Sequence, residues 1–226
     1  MRGHALAIHR VVTIDGPAGA GKSTVARALA DRLGWRLLDT GAMYRAVTLA
    51  ALRRRVDLAD EHALAALAES VEVRLPPGRV LLDGEDVGDL IRTVEVTRAS
   101  QYPANCPAVR RRLVDWQRTF AHEYDVVAEG RDQGTVVFPE SPAKFYLTAT
   151  PEERARRRHA EYLAKDEHIE FEVVLADLID RDTRDAARAI APMRPAEDAR
   201  VVDSTGVELS AVVEAIEAEV RRAIQG

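Results

Sequence analysis

A single cysteine, Cys106, occurs in 226 residues. One thiol cannot close a disulfide within its own chain and has no second sulfur for a metal site, so disulfide scaffolds and zinc ribbons are excluded. A reducing compartment, the cytoplasm, is the expectation. Aromatic residues are only 5% of the chain, and no apolar run approaches the roughly 18 residues of a membrane helix. The opening segment, MRGHALAIHRVV, has neither a true hydrophobic core nor a small-residue cleavage site, so no signal peptide is expected. Lysine is scarce, with Lys22, Lys144 and Lys165 set against 29 arginines. The net charge is still −5 and the pI about 5.7, so no general positive field favours nucleic acid or an anionic membrane. An arginine must therefore act by position, not by number.

Asparagine is scarcer still. The only one, Asn105, is followed by Cys106, so the Asn-Lys-x-Asp run by which regulatory GTPases read guanine is missing. The length leaves little room for the coupling domains of a transport or motor ATPase. It suits one α/β domain with insertions, and 46% hydrophobic residues can fill its core.

What is present is a phosphate cradle. TIDGPAGAGKST, residues 13–24, fits G-x-x-x-x-G-K-[ST] directly after the β-branched run Val11–Ile14. Gly16, Gly19 and Gly21 allow the backbone to turn successive N–H groups inward, a helix beginning near Lys22 adds its positive end, and Lys22 adds a full charge. The donor site is accordingly expected to comprise Gly16, Pro17, Ala18, Gly19, Ala20, Gly21, Lys22, Ser23 and Thr24.

Beyond the cradle, the pattern predicts a helix over Ser23–Leu33 stopped by Gly34, a strand over Trp35–Leu38, and a helix through Arg55. VEVRLPPGRVLLDGEDV reads as a β-hairpin turning at Pro76, Pro77 and Gly78. It interrupts an otherwise alternating β and α order, so residues 57–101 are expected to form an inserted subdomain between core segments 11–56 and 102–226 of one domain, 1–226. Strands YDVVAE, AKFYLTA and ARVVDST follow, with helices over Pro151–Lys165, over Glu167 to about Arg188, and from about Leu209. Strands separated by helices imply a parallel sheet.

A small-molecule kinase remains, and three stretches bear on its acceptor. LLDTGAMYR carries Tyr44 and Arg45 to the start of a helix, and AEGRDQGTVVFP follows a strand ending where open α/β sheets hold ligands. RDTRDAARAIAP sets Arg181, Asp185 and Arg188 at a spacing that puts them on one side of a helix.

Together with IDGPAGAGKST, and in this order around the hairpin, these stretches closely resemble the bacterial cytidylate kinases, the (d)CMP kinases of the P-loop nucleoside monophosphate kinase family. The resemblance runs from about Val11 to the C-terminal helix. It implies a three-layer P-loop fold with a central parallel sheet, an inserted NMP-binding subdomain and a helical lid over 151–166. It further implies transfer of a phosphoryl group from Mg-ATP to CMP or dCMP by a monomer. Lys22, Arg131 and Arg188 would be catalytic, and Arg157 would join the cradle on ATP, with Arg154 or Arg158 as alternatives. The CMP site would be built from Thr40, Arg45, Ser100, Arg110, Arg131, Asp132, Arg181, Asp185 and Arg188, and the Ser23 hydroxyl would ligate Mg²⁺. Two other readings stay open at this point. One is a kinase for UMP/CMP, shikimate or gluconate on the same core, and the other is an ATP-binding regulator without catalysis.

Overall fold

The computed structural model describes residues 10–225, and the expectation that the opening segment is no signal peptide lies outside the described residues. The first element among the described residues is β1 (Val11–Asp15), whose side chains from Val12 onward are buried on both faces. The glycine-rich loop then leads into α1 (Lys22–Leu33), which ends on Gly34 at φ 69° with its N–H donating to the Ala30 and Asp31 carbonyls. β2 (Arg36–Asp39) passes directly into α2 (Thr40–Arg53), and the Asp39 carboxylate caps that helix by accepting the Ala42 N–H at 2.8 Å. α3 (Glu61–Ser70) is capped in the same manner by Asp60. Three two-residue strands follow, β3 (Val73–Arg74), β4 (Leu81–Leu82) and β5 (Glu85–Asp86). Next come α4 (Val94–Ala99), α5 (Gln101–Asn105), α6 (Pro107–Glu123) and β6 (Val126–Gly130). A wide turn at Gln133–Val137 leads to β7 (Ala143–Thr148), α7 (Pro151–Leu163), α8 (Phe171–Ala186), β8 (Arg200–Asp203) and α9 (Leu209–Gln225).

Two compact units emerge from this order, 1–37 with 124–226, and 38–123. In the first, the five-stranded sheet has the order β2-β6-β1-β7-β8, and β1–β6, β1–β7 and β7–β8 all pair in parallel. β6 is buried along its whole length, which is why VVAEG reads as a nearly continuous apolar run rather than an alternating one. α1 and α9 pack on the sheet through Val25, Leu29, Val213, Ile216 and Val220 against Val12, Ile14, Val127, Phe145 and Leu147. A second cluster joins α7 to α8 through Ala155, Val174 and Leu178, and Ala18 of the loop is packed into it.

The second unit encloses segment 57–101 and adds α2 and α6. Its buried side chains include Met43, Val47, Leu64, Leu67, Ile91, Val96, Val109 and Leu113. Cys106 is buried here, with its Sγ 3.6 Å from the Glu61 carbonyl. The expected hairpin is in fact a three-stranded antiparallel sheet, β3-β4-β5. Asp83 and Gly84, at φ 49° and 87°, make the extra turn. Two consecutive positive φ values are the signature of the tight turn that an Asp-Gly pair favours between strands.

The helix expected from Glu167 to about Arg188 is shorter in the structure. α8 stops at Ala186, and Ala191 at φ 51°, just ahead of Pro192, turns the chain back so that the Met193 N–H bonds to the Asp185 carbonyl at 2.9 Å. Arg188 therefore lies beyond the helix and not on its face. No helix of the described residues is long and apolar enough to cross a membrane.

Candidate active site

Three glycines shape the loop after β1, with Gly16, Gly19 and Gly21 at φ 144°, 77° and 89°. A Cβ on Gly16 would come within 2.0 Å of the Leu147 carbonyl oxygen, so only glycine lets β1 leave the sheet here. Gly21 precedes α1 with no side chain capping the helix, as expected of an N-terminus shaped for an anion.

Lys22 is buried, and its Nζ donates to the Pro17 carbonyl at 2.7 Å. Burial and the nearby Arg131 pull its ammonium down from 10.5 to about 7, against the opposing pull of Glu129 and Asp15. Cations gathered in a dry cradle repel one another, and an anion placed among them reverses the sign of that interaction.

The loop is braced from behind. Arg154 is held by protein groups: its Nε donates to the Ala149 carbonyl at 3.0 Å and its Nη1 to the Ala18 carbonyl at 3.0 Å and to the Asp182 carboxylate. Asp182 also accepts the Ala18 N–H at 3.3 Å. Arg157 lies nearer the loop's mouth, where its Nη1 would sit 3.7 Å from a Cβ at Gly21. It is held by Glu153 at 3.0 Å and by the Ser204 carbonyl at 2.7 Å. Arg158 pairs with Glu161 at 2.8 Å and lies over the Tyr162 ring.

At the ends of β6 and α8 the structure brings together three of the expected site residues. Arg131 Nε donates to Asp185 Oδ2 at 3.0 Å, and Arg188 Nη2 donates to the other carboxylate oxygen. Burial alone would raise the Asp185 carboxyl, but Arg131, Arg188 and Arg181 outweigh it and hold the group below its ordinary value. Arg131 is held above its usual value because Asp185, Glu129 and Asp182 more than offset its own burial. Thus one buried carboxylate aims two guanidinium forks, even though one of the two sits past the helix end.

Asp132, also buried, leads into the wide turn, and its carbonyl accepts the Val136 N–H at 2.9 Å and the Val137 N–H at 3.2 Å. Two acidic residues that motif reading passed over stand beside this group. Asp15, at the end of β1, accepts the N–H groups of Gln133 at 2.9 Å and Gly134 at 2.8 Å, and burial raises its carboxyl to about 6. Glu129, in β6, accepts the Ser23 hydroxyl at 2.6 Å. Its signal in the sequence is a charged residue inside VVAEG, an otherwise apolar buried strand. A hydroxyl and a carboxylate in contact are hard oxygen donors of the kind Mg²⁺ takes, and few protein ligands suit an ion that keeps several waters.

In the second unit, Thr40 is the buried first residue of α2, and Arg45 lies one turn on, 3.6 Å from the Asp39 carboxylate. The buried Nε of Arg45 has no hydrogen-bond partner among the described residues. Arg110, on α6, is buried and reaches over the Tyr44 ring, 6.0 Å from its centroid, while its Nη1 is 3.5 Å from the Ala104 carbonyl. Ser100 is buried and donates its hydroxyl to the Thr97 carbonyl at 2.7 Å.

Comparison with known proteins matches residues 12–222 to the cytidylate kinase family. The chain belongs to that family. Among its relatives, the cytidylate kinase of Shewanella loihica is 48% identical over 209 residues, covering 90% of this chain and 91% of that protein. The cytidylate kinase of Shigella boydii serotype 4 is 48% identical over 212 residues, and that of Pseudomonas aeruginosa 47% identical over 212, each covering at least 91% of this chain and 93% of the relative. Among solved structures, an uncharacterized protein from Eubacterium ventriosum superposes with a TM-score of 0.53 at 12% identity, over 95% of this chain and 99% of that one, a likeness of fold alone. Membership makes this chain a nucleotide-binding transferase, and the cytidylate kinase assignment rests on sequence along nearly its whole length rather than on the glycine-rich loop by itself.

Proposed function

We propose that this cytidylate kinase family member transfers the γ-phosphoryl group of ATP to CMP or dCMP, giving ADP and the diphosphate, by alignment and charge neutralisation without a covalent intermediate. The observation that carries the proposal is the buried Asp185 aiming Arg131 and Arg188, with Lys22 close enough to Arg131 for the two cations to repel. The acceptor phosphate, with a second pKa of about 6, is largely dianionic at neutral pH and attacks without a strong base. What hinders the reaction is repulsion between two polyanions, and buried arginine forks answer that repulsion with bidentate donors whose charge never titrates away.

In this reading residues 16–24 hold the donor phosphates through Lys22 and the backbone N–H groups of all but Pro17, with Arg157 at the edge of the loop on the helix that serves as lid. Arg45, Arg131 and Arg188 take the acceptor phosphate, while Arg181 and Asp185 take the sugar through its 3′-hydroxyl, which accommodates deoxyribose. The unpartnered Nε of Arg45 supports its share of that role. Ser23 and Glu129 would hold Mg²⁺, which would supply charge neutralisation for the phosphates of ATP.

Asp132 accepts a hydrogen from the cytosine amino group, Arg110 donates to the ring's acceptors, and Ser100 and Thr40 complete the polar lining. Uracil presents a carbonyl where cytosine presents the amino group, so a carboxylate facing it rejects UMP. A mismatched buried polar contact costs about 1–3 kcal/mol. Asp132→Ala is therefore expected to lower the CMP-to-UMP ratio of kcat/KM by about tenfold or more. Steady-state assays on both acceptors measure it, and an equal loss on CMP and UMP removes Asp132 from base reading.

A further inference from the structure

One buried carboxylate at the start of the donor loop is spent on backbone N–H groups. Asp15 closes β1 immediately before Gly16, is only 4% exposed, and spends both oxygens on the backbone of a segment more than a hundred residues away. Its Oδ1 accepts the Gln133 N–H and its Oδ2 the Gly134 N–H, the first two amides after Asp132.

Those amides open the wide turn, in which the Val137 N–H reaches the Asp132 carbonyl at 3.2 Å and the Phe138 N–H reaches the Gln133 carbonyl at 2.7 Å. A turn of this width is rare and weakly favoured by itself, so something outside it must fix its phase. Packing against the turn is close but not directional: a Cβ on Gly134 would lie 3.0 Å from Thr13 Oγ1, 3.3 Å from Lys144 Cδ and 3.5 Å from Asp15 Oδ2. The carboxylate supplies the two directional anchors, although burial and the neighbouring Asp132 both work against its charge. An apolar residue would be cheaper to bury in this position and would hold neither amide.

We infer that Asp15 is a positioning residue for acceptor selection, fixing the backbone that presents Asp132 and Arg131 so that base and phosphate are recognised in one register. The inference rests on the proposed reading of the base by Asp132. Asp15→Asn keeps one acceptor oxygen and sets an amide NH₂ against the second backbone N–H, so the turn loses one of its two anchors and gains a donor facing a donor.

The test measures melting temperature, ATP affinity by titration calorimetry, and kcat and KM on CMP and UMP for wild type, Asp15→Asn and Asp132→Ala. For Asp15→Asn, KM for CMP is expected to rise by about tenfold and the CMP-to-UMP ratio of kcat/KM to fall by a similar factor. ATP affinity should not weaken, because removing a negative charge near Lys22 does not oppose a triphosphate. A purely structural role would lower activity on both acceptors together and leave the ratio alone, and that result overturns the inference. If Asp132→Ala shifts the ratio and Asp15→Asn does not, positioning by Asp15 fails while base reading stands. If Asp132→Ala leaves it unchanged, base reading fails and the inference falls with it. Should Asp15→Asn not fold, Gly134→Ala displaces the same turn from the Thr13 side and should produce the same fall in ratio, and an unchanged ratio there counts against the inference.

Discussion

Lys22→Ala is expected to lower kcat with Mg-ATP and CMP by about 10³-fold, with a melting temperature equal to or above that of the parent. The two halves of this result have one cause. Lys22 is buried among Arg131 and Arg181, and the surroundings disfavour its charge so strongly that its ammonium falls to about 7. The unliganded protein therefore bears an electrostatic cost that only an anion in the cradle relieves. Deleting the side chain removes that repulsion from the resting protein and, with it, the charge that would offset the transferring phosphoryl group. Stability held at the expense of function is the usual relation at a preorganised site. Steady-state ADP production together with calorimetric melting tests both halves. A loss in kcat of less than about tenfold would remove Lys22 from the transferring group.

Arg131→Ala should cost a similar factor in rate but behave in the opposite way in stability. Arg131 is the partner of Asp185 Oδ2 at 3.0 Å, and the Asp185 side chain is only 5% exposed. Removing the guanidinium leaves a buried carboxylate that Arg188 satisfies on one oxygen alone, at a cost of about 1–3 kcal/mol. For a chain of this size that corresponds to a fall in melting temperature of about 3–10 °C. Adding Asp185→Asn to Arg131→Ala should restore part of the melting temperature and none of the rate, since the orphaned charge is gone but the fork has not returned. Recovery of rate in the double variant would show that Arg131 acts only by satisfying Asp185.

Comparison of sequence with structure divides along the range of the interactions. The glycine-rich loop, α1 and the buried strands were legible because each depends on local chemistry: glycine φ, a run of β-branched residues, or a cap within four residues. Asp15 and Glu129 were not, although both lie inside quoted motifs. Their partners are 118, 119 and 106 residues away, and no local pattern announces that a carboxylate will meet two distant amides or a hydroxyl on another element. Arg188 illustrates the reverse case. Its spacing from Asp185 suggested a shared helix face, and the pairing is real, yet the helix has already ended at Ala186 and Arg188 reaches Asp185 from beyond it. β5 escaped notice because two residues are too few to alternate, although the Asp83-Gly84 turn that creates it was present in the sequence.

The most direct test of the account is an acceptor survey: coupled ADP production with Mg-ATP against CMP, dCMP, UMP, AMP, GMP and shikimate, each at one concentration. The account predicts that CMP and dCMP lead together, with UMP lower by about tenfold or more. Equal rates for UMP and CMP, or a lead by shikimate, would contradict it.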